Sequence, residues 1–467
     1  MHSFRLHRSG LSAVLGLLTM MTSAMAKDSV ELLVVHGTIV VMDPQRTVIE
    51  DGALAVQGGK ILSVGKSADL LERFEAARTV DAKQAVVMPG LINAHGHAAM
   101  TLFRGLADDK ALMDWLRNYI FPAEAKFVDE PFVRAGTRLG ILEMLLGGTT
   151  TYVDMYYFED AVADETAKAG MRGVIGQAMI DFPAPDHKTW DATLAGTEAF
   201  LKKWQGHRLI TAAPAPHAPY TVSPEHLQAA KQLADKYSAP LIIHLAETQD
   251  EVENSKKQYQ ATPTVHLDRI GFLGPNVIAK HVVWADEDEL LLLKKHGVGI
   301  AHCPQSNMKL ASGIAPVPQM LKLGLGIGLG TDGAASNNDL DMWGEIGTVA
   351  MLHKVDLRDP TVVNAHEAVA MATIDGARAI HLEDKIGSLE VGKEADFIIV
   401  DVTAPHVVPM YDVFSHLAYA VKASDVRTVA VAGRIVVEDR KPTTLDAEQI
   451  LSEAREYRDR IRTLLAK

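Results

Sequence analysis

Residues 86–97 read VVMPGLINAHGH, an apolar run that ends in two histidines separated by a single glycine. An apolar run of this length, rich in β-branched residues, is typical of a buried strand. Side chains two positions apart in an extended segment point to the same side, so His95 and His97 are placed to reach one shared ion. A lone His-x-His pair is a weak signal. Its weight depends on where the strand lies in the fold.

Seven similar runs follow, each separated from the next by a helical stretch. The eight segments are VVMPGLINAH, TTTYVDM, RGVIGQAMI, LITAAPAP, PLIIHLA, VIAKHVV, VGIAHCP and LGIGLGTD. This alternation favours parallel βαβ units, and eight of them over about 250 residues is the size of a (β/α)8 barrel. We therefore predict an α/β protein whose central domain, residues 88–387, is a (β/α)8 TIM barrel. A doubly wound open sheet is the competing fold.

The two ends of the chain have a different sequence pattern, in which short runs of β-branched residues are interrupted by turns. The runs are LLVVHGTIVVMD and GALAVQGGKILSVG before the central domain, and GSLEVGKEADFIIVDV and VRTVAVAGRIVVED after it. They predict one small composite β-sandwich domain built from residues 27–87 and 388–440. The C-terminal region, residues 441–467, is predicted to hold a packing helix from Asp446 to Leu465, with Asp446 and Gln449 as its capping box.

Composition excludes several classes of function. The chain has 467 residues, is 48% hydrophobic and carries a net charge of -13. Its charges are interleaved and form no basic stripe, so we expect no nucleic-acid partner. Cys303 is the only cysteine, which excludes an intramolecular disulfide and a thiolate-rich metal site. We expect a small-molecule substrate, and the sequence leaves open a homo-oligomer.

Polar residues stand where the predicted strands end, which is where a barrel of this type carries its active site. They are His95, His97, His217, His244, His281, His302 and Asp332. Three imidazoles and one carboxylate would complete a shell suited to zinc, with one position left for water. That shell would take His95, His97, His244 and Asp332. The alternatives are a structural His244 bonded to the backbone and a helix-capping Asp332.

Three long segments surround these residues, PGLINAHGHAAMTLFRGLADD, LIIHLAET and IGLGTDGAASNNDLDMW. They resemble the metal-site segments of the amidohydrolase superfamily. The Pro122-x-Glu124 turn, APAPHAPY, HLAE and AHCPQSNMKLASGIAPV further resemble the methylthioadenosine/adenosylhomocysteine deaminases and their triazine-hydrolase relatives. The resemblance extends over nearly the whole chain after residue 26.

The resemblance implies a role for each site residue. Those implied to hold one zinc ion per chain, or another divalent metal, are His95, His97, His244 and Asp332. Those implied to handle protons are Glu247, His281 and Asp332, and those implied to contact the substrate are Glu124, His217, Glu247 and Asp332. The chemistry agrees, because an aminopurine becomes a good electrophile only when a ring nitrogen is protonated by a nearby acid.

The predicted function is therefore zinc-dependent hydrolytic deamination of an aminopurine nucleoside, with release of ammonia. 5-Methylthioadenosine, S-adenosylhomocysteine and adenosine are the expected substrates. The family often has a substrate-binding arginine after the third strand, whereas this chain has Gln177 there and no arginine in residues 181–190. That departure counts against the larger adenosylhomocysteine substrate.

Other interpretations of single residues remain open at this point. Glu247 could be a surface-loop carboxylate, and His281 could only fix a ligand through a hydrogen bond. Glu124 could interact with the dipole in the first turn of a helix. His302 could line the pocket, although a hydrogen bond to a backbone carbonyl beside Ser306 and Asn307 is the favoured interpretation.

Three other functions compete with deamination of a nucleoside. A triazine or halide-displacing hydrolase, or a deaminase of another amino-heterocycle, would use the same zinc chemistry. A non-catalytic, exported metal-binding barrel would need no proton-transfer groups beside the ligands. A binuclear hydrolase would need a lysine at the end of the fourth strand, where the chain has His217.

The N-terminus has the pattern of a secretory signal. Arg5 and Arg8 precede the apolar run 11–21, and Ala24-Met25-Ala26 supplies small residues at a cleavage point. We predict a signal peptide over residues 1–26 and export to the periplasm. The apolar run is too short to span a membrane comfortably, so we expect no membrane span after its removal. A miscalled start codon or a short anchor helix is the alternative, and a cytoplasmic location remains open.

Removal of this signal predicts a mature protein that begins at Lys27. N-terminal sequencing of protein purified from the native host measures the terminus directly. An intact Met1 in the cytosolic fraction would rule out export.

Overall fold

The structure, a computed structural model, describes residue 2 and residues 27–465. Apart from His2, the segment predicted to be a signal peptide lies outside the described residues. Within the described part, none of the helices combines the length and the apolar character needed to cross a membrane.

Strands and helices alternate along the described chain. The strands are β1 (Asp28–Val40), β2 (Val48–Gln57), β3 (Lys60–Lys66), β4 (Phe74–Asp81), β5 (Val86–Pro89), β6 (Leu91–Gly96), β7 (Thr149–Tyr156), β8 (Arg172–Met179), β9 (Ile210–Pro216), β10 (Leu241–Leu245), β11 (Val277–His281), β12 (Gly299–His302), β13 (Ile327–Leu329), β14 (Phe397–Val400), β15 (Val426–Val431), β16 (Arg434–Glu438) and β17 (Lys441–Pro442).

The α-helices connect and cover these strands. They are α1 (Ser67–Arg73), α2 (Leu112–Trp115), α3 (Phe121–Phe127), α4 (Glu130–Leu146), α5 (Glu159–Ala169), α6 (Trp190–Trp204), α7 (Pro224–Tyr237), α8 (Gln249–Tyr259), α9 (Pro263–Arg269), α10 (Glu287–His296), α11 (Pro304–Lys309), α12 (Val317–Leu323), α13 (Met342–Leu357), α14 (Ala365–Met371), α15 (Ile374–Ala379), α16 (Val413–Tyr419) and α17 (Ala447–Leu465). Short 3-10 segments occupy Ala98–Phe103, Pro405–Val407 and Ala423–Asp425, and a π-helical turn occupies Leu116–Ile120.

The central strands form two parallel four-stranded sheets, β6-β7-β8-β9 and β10-β11-β12-β13. Each of the eight predicted segments overlaps one of these strands. The sheets meet where the His244 amide donates to the His217 carbonyl at 3.0 Å, and again where the Asp332 amide donates to the His95 carbonyl at 3.0 Å. Both contacts lie at the carboxyl ends of the strands, so residues at those ends come together in space.

One face of these strands packs its apolar side chains into a single buried cluster. Its members from the parallel strands are Ile92, Ala94, Val153, Met155, Val174, Ala213, Ala215, Ile242, Ile278 and Ala301. Neighbouring residues such as Val277 and Ala279 pack on the opposite face, in the large cluster that includes residues of the surrounding helices. Because side chains alternate along a strand, this division predicts which strand-end residues face the site wherever the strand stays regular.

Both ends of the chain supply strands to one outer sheet, in the order β17-β16-β15-β14-β5-β1-β2-β3, with β4 paired to β1. The join is antiparallel between β5 and β14, where Pro89 faces Phe397. A sheet that takes strands from both ends of the chain agrees with the prediction that the two ends contribute to one unit. The two-layered sandwich and the domain bounds 27–87, 88–387 and 388–440 stay predictions.

The structure divides the predicted first strand, VVMPGLINAH, at Gly90. Val86–Pro89 belongs to the outer sheet, and Leu91–Gly96 belongs to the parallel strands. A Cβ atom on Gly90 would lie 2.1 Å from the hydroxyl oxygen of Thr150, so only glycine lets the chain pass β7 this closely.

Helix α17 begins at Ala447, directly after the predicted cap Asp446, and Lys441 and Pro442 before it pair with β16. The Gln449 amide donates to Asp446 Oδ1 at 3.0 Å, which is one of the two hydrogen bonds of the predicted capping box. Tyr457 packs edge-on against Phe132 of α4, with ring centroids 5.5 Å apart. The helix therefore serves packing against α4.

A buried ion pair ties the outer sheet to the parallel strands. Arg172, at the start of β8, donates to both carboxylate oxygens of Asp396, at 2.8 and 3.1 Å. Asp396 also accepts the Ala432 amide at 2.7 Å. Both charged side chains are almost completely buried, so neither can regain water if its partner is lost.

Asp396→Ala should therefore destabilise the protein. We expect the free energy of unfolding in urea to fall by about 3 kcal/mol, the low end for breaking a buried pair, because Glu394 stays 3.5 Å from Arg172. The matched control is Glu438→Ala, which breaks the half-exposed pair with Arg78 and should cost under about 1 kcal/mol. Equal losses in both variants would contradict a structural role for the buried pair.

Candidate active site

A cavity opens at the carboxyl ends of the parallel strands and encloses about 580 Å³, open mouth included. The predicted site residues that line it are His97, Glu124, His217, His244, Glu247, His281 and Asp332. His95 lies fully buried against this group, with its ring centroid 4.8 Å from that of His97 and 5.0 Å from that of His244. The structure therefore brings every residue of the predicted site into one place.

Asp332 is the shared neighbour of the first two histidines. Its Oδ1 lies 3.2 Å from His95 Nε2 and 3.1 Å from His97 Nε2. Its Oδ2 accepts hydrogen bonds from the hydroxyls of Ser306 and Ser336, at 2.7 and 2.8 Å. Burial opposes the ionised carboxylate, but the two histidines outweigh burial and hold the pKa of Asp332 well below its usual range.

Backbone carbonyls orient two of the imidazoles. His97 Nδ1 lies 2.6 Å from the Met155 carbonyl, and His244 Nδ1 lies 2.8 Å from the His217 carbonyl. Each contact suits a protonated Nδ1 and leaves Nε2 unprotonated and free to bind another group. This arrangement is common where histidine binds a metal ion, because the carbonyl fixes both the tautomer and the ring orientation.

These side chains fit a divalent metal ion. Two groups of three have potential ligand atoms within 4.8 Å of one another, and both include His95: one adds His97 and Asp332, and the other adds His244 and His281. Neither ring nitrogen of His95 makes a hydrogen bond of suitable geometry among the described residues, although Nε2 lies 3.2 Å from Asp332 Oδ1. In a tetrahedral site with bonds of about 2.0–2.1 Å, neighbouring ligand atoms lie about 3.3 Å apart, close to the distances from Asp332 Oδ1.

Glu247 lies beside this cluster, in the short connection between β10 and α8. Its Oε1 accepts the Ser312 hydroxyl at 3.4 Å, and its Oε2 lies 3.9 Å from His281 Nε2. The side chain is buried, which excludes the surface-loop interpretation. Burial raises the pKa of Glu247, against the nearby His281, which lowers it. A carboxyl group in this setting holds a proton more readily than one in water.

His281 reaches the cavity through an unusual backbone conformation. Val277 and Ala279 of β11 pack away from the buried interior cluster, and strict alternation would send His281 the same way. Instead, His281 has a φ of 66° and turns out of the strand. Such a conformation costs about 1–3 kcal/mol and is concentrated at functional sites. Asn307 Oδ1 then lies 3.0 Å from His281 Nδ1, leaving Nε2 toward Glu247.

Glu124 and His217 also line the cavity. Glu124 stands in the first turn of α3, as its alternative interpretation predicts, yet it is buried and lines the cavity. Burial raises the pKa of Glu124 to about 7, against the nearby Tyr156 hydroxyl and His97. Burial, and then His97 and His281, lower the pKa of His217 to about 4. His217 Nδ1 lies 2.9 Å from the Thr221 hydroxyl, which leaves Nε2 free.

Both sequence interpretations of His302 fail. His302 lies in β12 next to the inward-facing Ala301, so alternation turns its ring away from the cavity and toward His353 of α13, 5.7 Å away. The favoured backbone hydrogen bond is also wrong, because neither ring nitrogen of His302 has a partner within the described part of the chain. Gln177 lines a different cavity, where it donates to Asp186 Oδ2 at 2.9 Å.

Sequence reasoning missed the groups that hold the site residues in place. Ser306, Ser312 and Ser336 contact Asp332 or Glu247, and Glu251 accepts the amides of Ala246 and Glu247, each at 2.9 Å. Burial raises the pKa of Glu251 to about 8, although these amides lower it. The serines lie within the quoted segments, but nothing in their spacing indicates which carboxylate they bind.

Comparison with known proteins extends these observations. Residues 86–436 match a family model described as the amidohydrolase family. A 5-methylthioadenosine/S-adenosylhomocysteine deaminase from Syntrophobacter fumaroxidans is 47% identical over 431 residues, 92% of this chain and 98% of that protein. An adenosine deaminase from Xanthomonas campestris, solved with bound zinc, is 41% identical with a TM-score of 0.92, covering 94% of this chain and 100% of that one. Atrazine chlorohydrolase from Arthrobacter aurescens, solved with zinc, is 25% identical with a TM-score of 0.86, covering 91% and 99%.

The convergence of ligand atoms on one point predicts about one divalent metal ion per purified chain. His95→Ala and His244→Ala should lose metal and activity together, measured by elemental analysis and steady-state turnover. His302→Ala is the matched control, because it removes a buried imidazole from a neighbouring strand that does not line the cavity, and it should keep the metal. Two tightly held ions per chain would contradict a single site.

Proposed function

The chain belongs to the amidohydrolase family, and we propose that it is a zinc-dependent aminohydrolase that deaminates an aminopurine nucleoside and releases ammonia. 5-Methylthioadenosine, S-adenosylhomocysteine and adenosine are the proposed substrates. The observation that carries the proposal is Glu247, a buried carboxyl group facing the same cavity as the imidazoles that fit a metal ion. The names of the deaminases to which the chain is similar support the same chemistry.

We assign the metal to His95, His97, His244 and Asp332. Three nitrogens and one carboxylate oxygen are a ligand set that suits zinc, and another divalent metal would also fit them. A bound zinc ion would supply Lewis-acid activation of the water that attacks the purine ring. The carbonyls of Met155 and His217 then keep two of the imidazoles in the required tautomer.

Glu247 acts as the general acid. It donates a proton to a ring nitrogen of the purine, which draws electrons from the carbon that carries the amino group. Water adds to that carbon and forms a carbon–oxygen bond, while His281 orients the water. Asp332 accepts the proton that the water releases and delivers it to the amino group. The carbon–nitrogen bond then breaks and ammonia leaves, while the remaining proton on the added oxygen passes to Glu247, which forms the carbonyl group and restores the acid.

Glu124 and His217 bind the substrate in this proposal. Glu124 accepts hydrogen bonds from the ribose hydroxyls, and the free Nε2 of His217 contacts the purine. The low pKa of His217 keeps its ring neutral at pH 7, so it meets the base as a hydrogen-bonding group without a net charge.

We further infer that the eight parallel strands close into one (β/α)8 barrel and that the outer strands form a composite sandwich. The hydrogen bonds that join the two four-stranded sheets on both sides support closure, and the shared β5–β14 pairing supports the composite domain. Export to the periplasm also belongs to this proposal, with the sequence of residues 1–26 as its support.

The second candidate is a halide-displacing triazine hydrolase, favoured by the similarity to atrazine chlorohydrolase. It would share the metal ligands, but its substrate needs no ring protonation by Glu247. A screen of purified protein for ammonia and chloride release separates the two. The panel should hold methylthioadenosine, adenosylhomocysteine, adenosine, guanine, cytosine and atrazine. No turnover of any compound would instead favour the non-catalytic metal-binding protein.

Glu247→Gln should keep the metal and lose deamination, because glutamine is nearly isosteric but cannot deliver a proton to the ring. We expect turnover to fall about 10²- to 10⁴-fold, the usual contribution of a positioned general acid. KM should change little if the acid acts mainly in the transition state. The measurements are metal content and steady-state ammonia release from methylthioadenosine and adenosine.

The matched control is Glu253→Gln on the exposed side of α8, which should leave turnover unchanged. Near-normal turnover in Glu247→Gln would remove this residue from the mechanism. It would also favour the halide-displacing reaction.

A further inference from the structure

A second cavity adjoins the site. It encloses about 1040 Å³, open mouth included, and is therefore larger than the site cavity measured in the same way. Leu116 and Phe121 line both cavities, so the two spaces are immediate neighbours. The second cavity therefore lies beside any substrate bound in the first.

The walls of the second cavity are mainly apolar and aromatic. Met113, Phe121, Phe182, Tyr220 and Tyr259 are among its lining residues. The rings of Phe121 and Phe182 meet edge to face, with centroids 5.6 Å apart, and Phe182 remains 41% exposed. An exposed aromatic side chain at a cavity wall is a suitable surface for an apolar or thioether group.

Two charged side chains of opposite sign also line this cavity, Arg117 and Asp181. Arg117 lies in the π-helical turn, is exposed, and has no carboxylate within 4.0 Å in the part of the chain that the structure describes. Asp181 is held by the Ser223 amide and by His226 Nδ1, each at 2.7 Å. The cavity therefore offers a free guanidinium group and an oriented carboxylate.

We propose that the second cavity binds the 5′ substituent of the nucleoside and that Arg117 recognises a carboxylate at the end of that substituent. This inference rests on the proposed function. The 5′ substituent of S-adenosylhomocysteine is a thioether that ends in an α-amino acid, with one carboxylate and one ammonium group. The apolar wall suits the thioether, Arg117 suits the carboxylate, and Asp181 suits the ammonium.

The loop after β8 offers no competing cation to this cavity. Gln177 is bonded to Asp186 in a separate cavity. Lys188 donates to the carbonyls of Ala184 and Pro185, at 2.6 and 3.2 Å, and does not line the second cavity. Arg117 reaches the same space from another segment of the chain. The absence of arginine in residues 181–190 therefore does not exclude a substrate that bears a carboxylate.

The test compares Arg117→Gln with the wild-type enzyme on matched substrates. We expect kcat/KM for S-adenosylhomocysteine to fall about 10- to 100-fold, the contribution of a hydrogen bond to a charged group, mainly through a higher KM. Methylthioadenosine, which lacks the carboxylate, should change less than about twofold on the same argument. An adenosine 5′-thioether that ends in an aminopropyl group should be equally insensitive, because it keeps the ammonium but lacks the carboxylate.

Lys110→Gln is the matched control, because Lys110 is a partly buried cation near Arg117 in the sequence that lines neither cavity. It should leave all three substrates unchanged. Equal effects of Arg117→Gln on all three substrates, or no effect on any, would overturn this inference while leaving deamination intact. So would a wild-type enzyme that deaminates methylthioadenosine but not S-adenosylhomocysteine. If the wild type releases no ammonia from any nucleoside, the proposed function itself fails.

Discussion

The cluster of buried imidazoles around the Asp332 carboxylate is the feature on which the arrangement of the site depends. A buried nitrogen without a partner costs free energy, and His95 has two of them among the described residues. Asp332 offsets part of that cost for His95 and His97, and a divalent cation would offset more. Neighbouring backbone and side-chain groups hold the residues of this cluster in place. Carbonyls orient the rings, and serines satisfy the second carboxylate oxygen of Asp332.

The strand-end histidines show how far the sequence can predict such a site. Alternation correctly places His217 and His244 on the same face as their inward neighbours Ala215 and Ile242. The same rule would turn both His281 and His302 away from the cavity. Of these two histidines, only His281 has a left-handed backbone conformation, which turns its side chain toward the cavity. No residue type in the sequence indicates that conformation. Periodicity therefore finds the strands, whereas the local backbone decides which polar side chains reach the site.

Contacts between segments that are far apart in the chain could not be predicted from the sequence either. Gly90 stands between two strands and leaves no room for a side chain beside Thr150, a neighbour that lies on a different strand. The partners of Glu247 come from α8 and from the segment after α11. Residue types at strand ends indicate the chemistry of a site, since metal ligands are few in kind. The groups that hold those ligands are ordinary serines, amides and carbonyls, which the sequence contains everywhere.

The joining of both chain ends in one sheet also bears on how the protein acquires its fold. Strand β5 finds its partner β14 only after every parallel strand has been synthesised, so this pairing has a very large sequence separation. Contacts of that kind form slowly, because a long loop must close before they contribute stability. Until β14 arrives, the strands that leave the ribosome first carry an unpaired edge, which can pair with another chain. Aggregation of nascent chains, more than instability of the finished enzyme, is the hazard that this architecture brings to the cell.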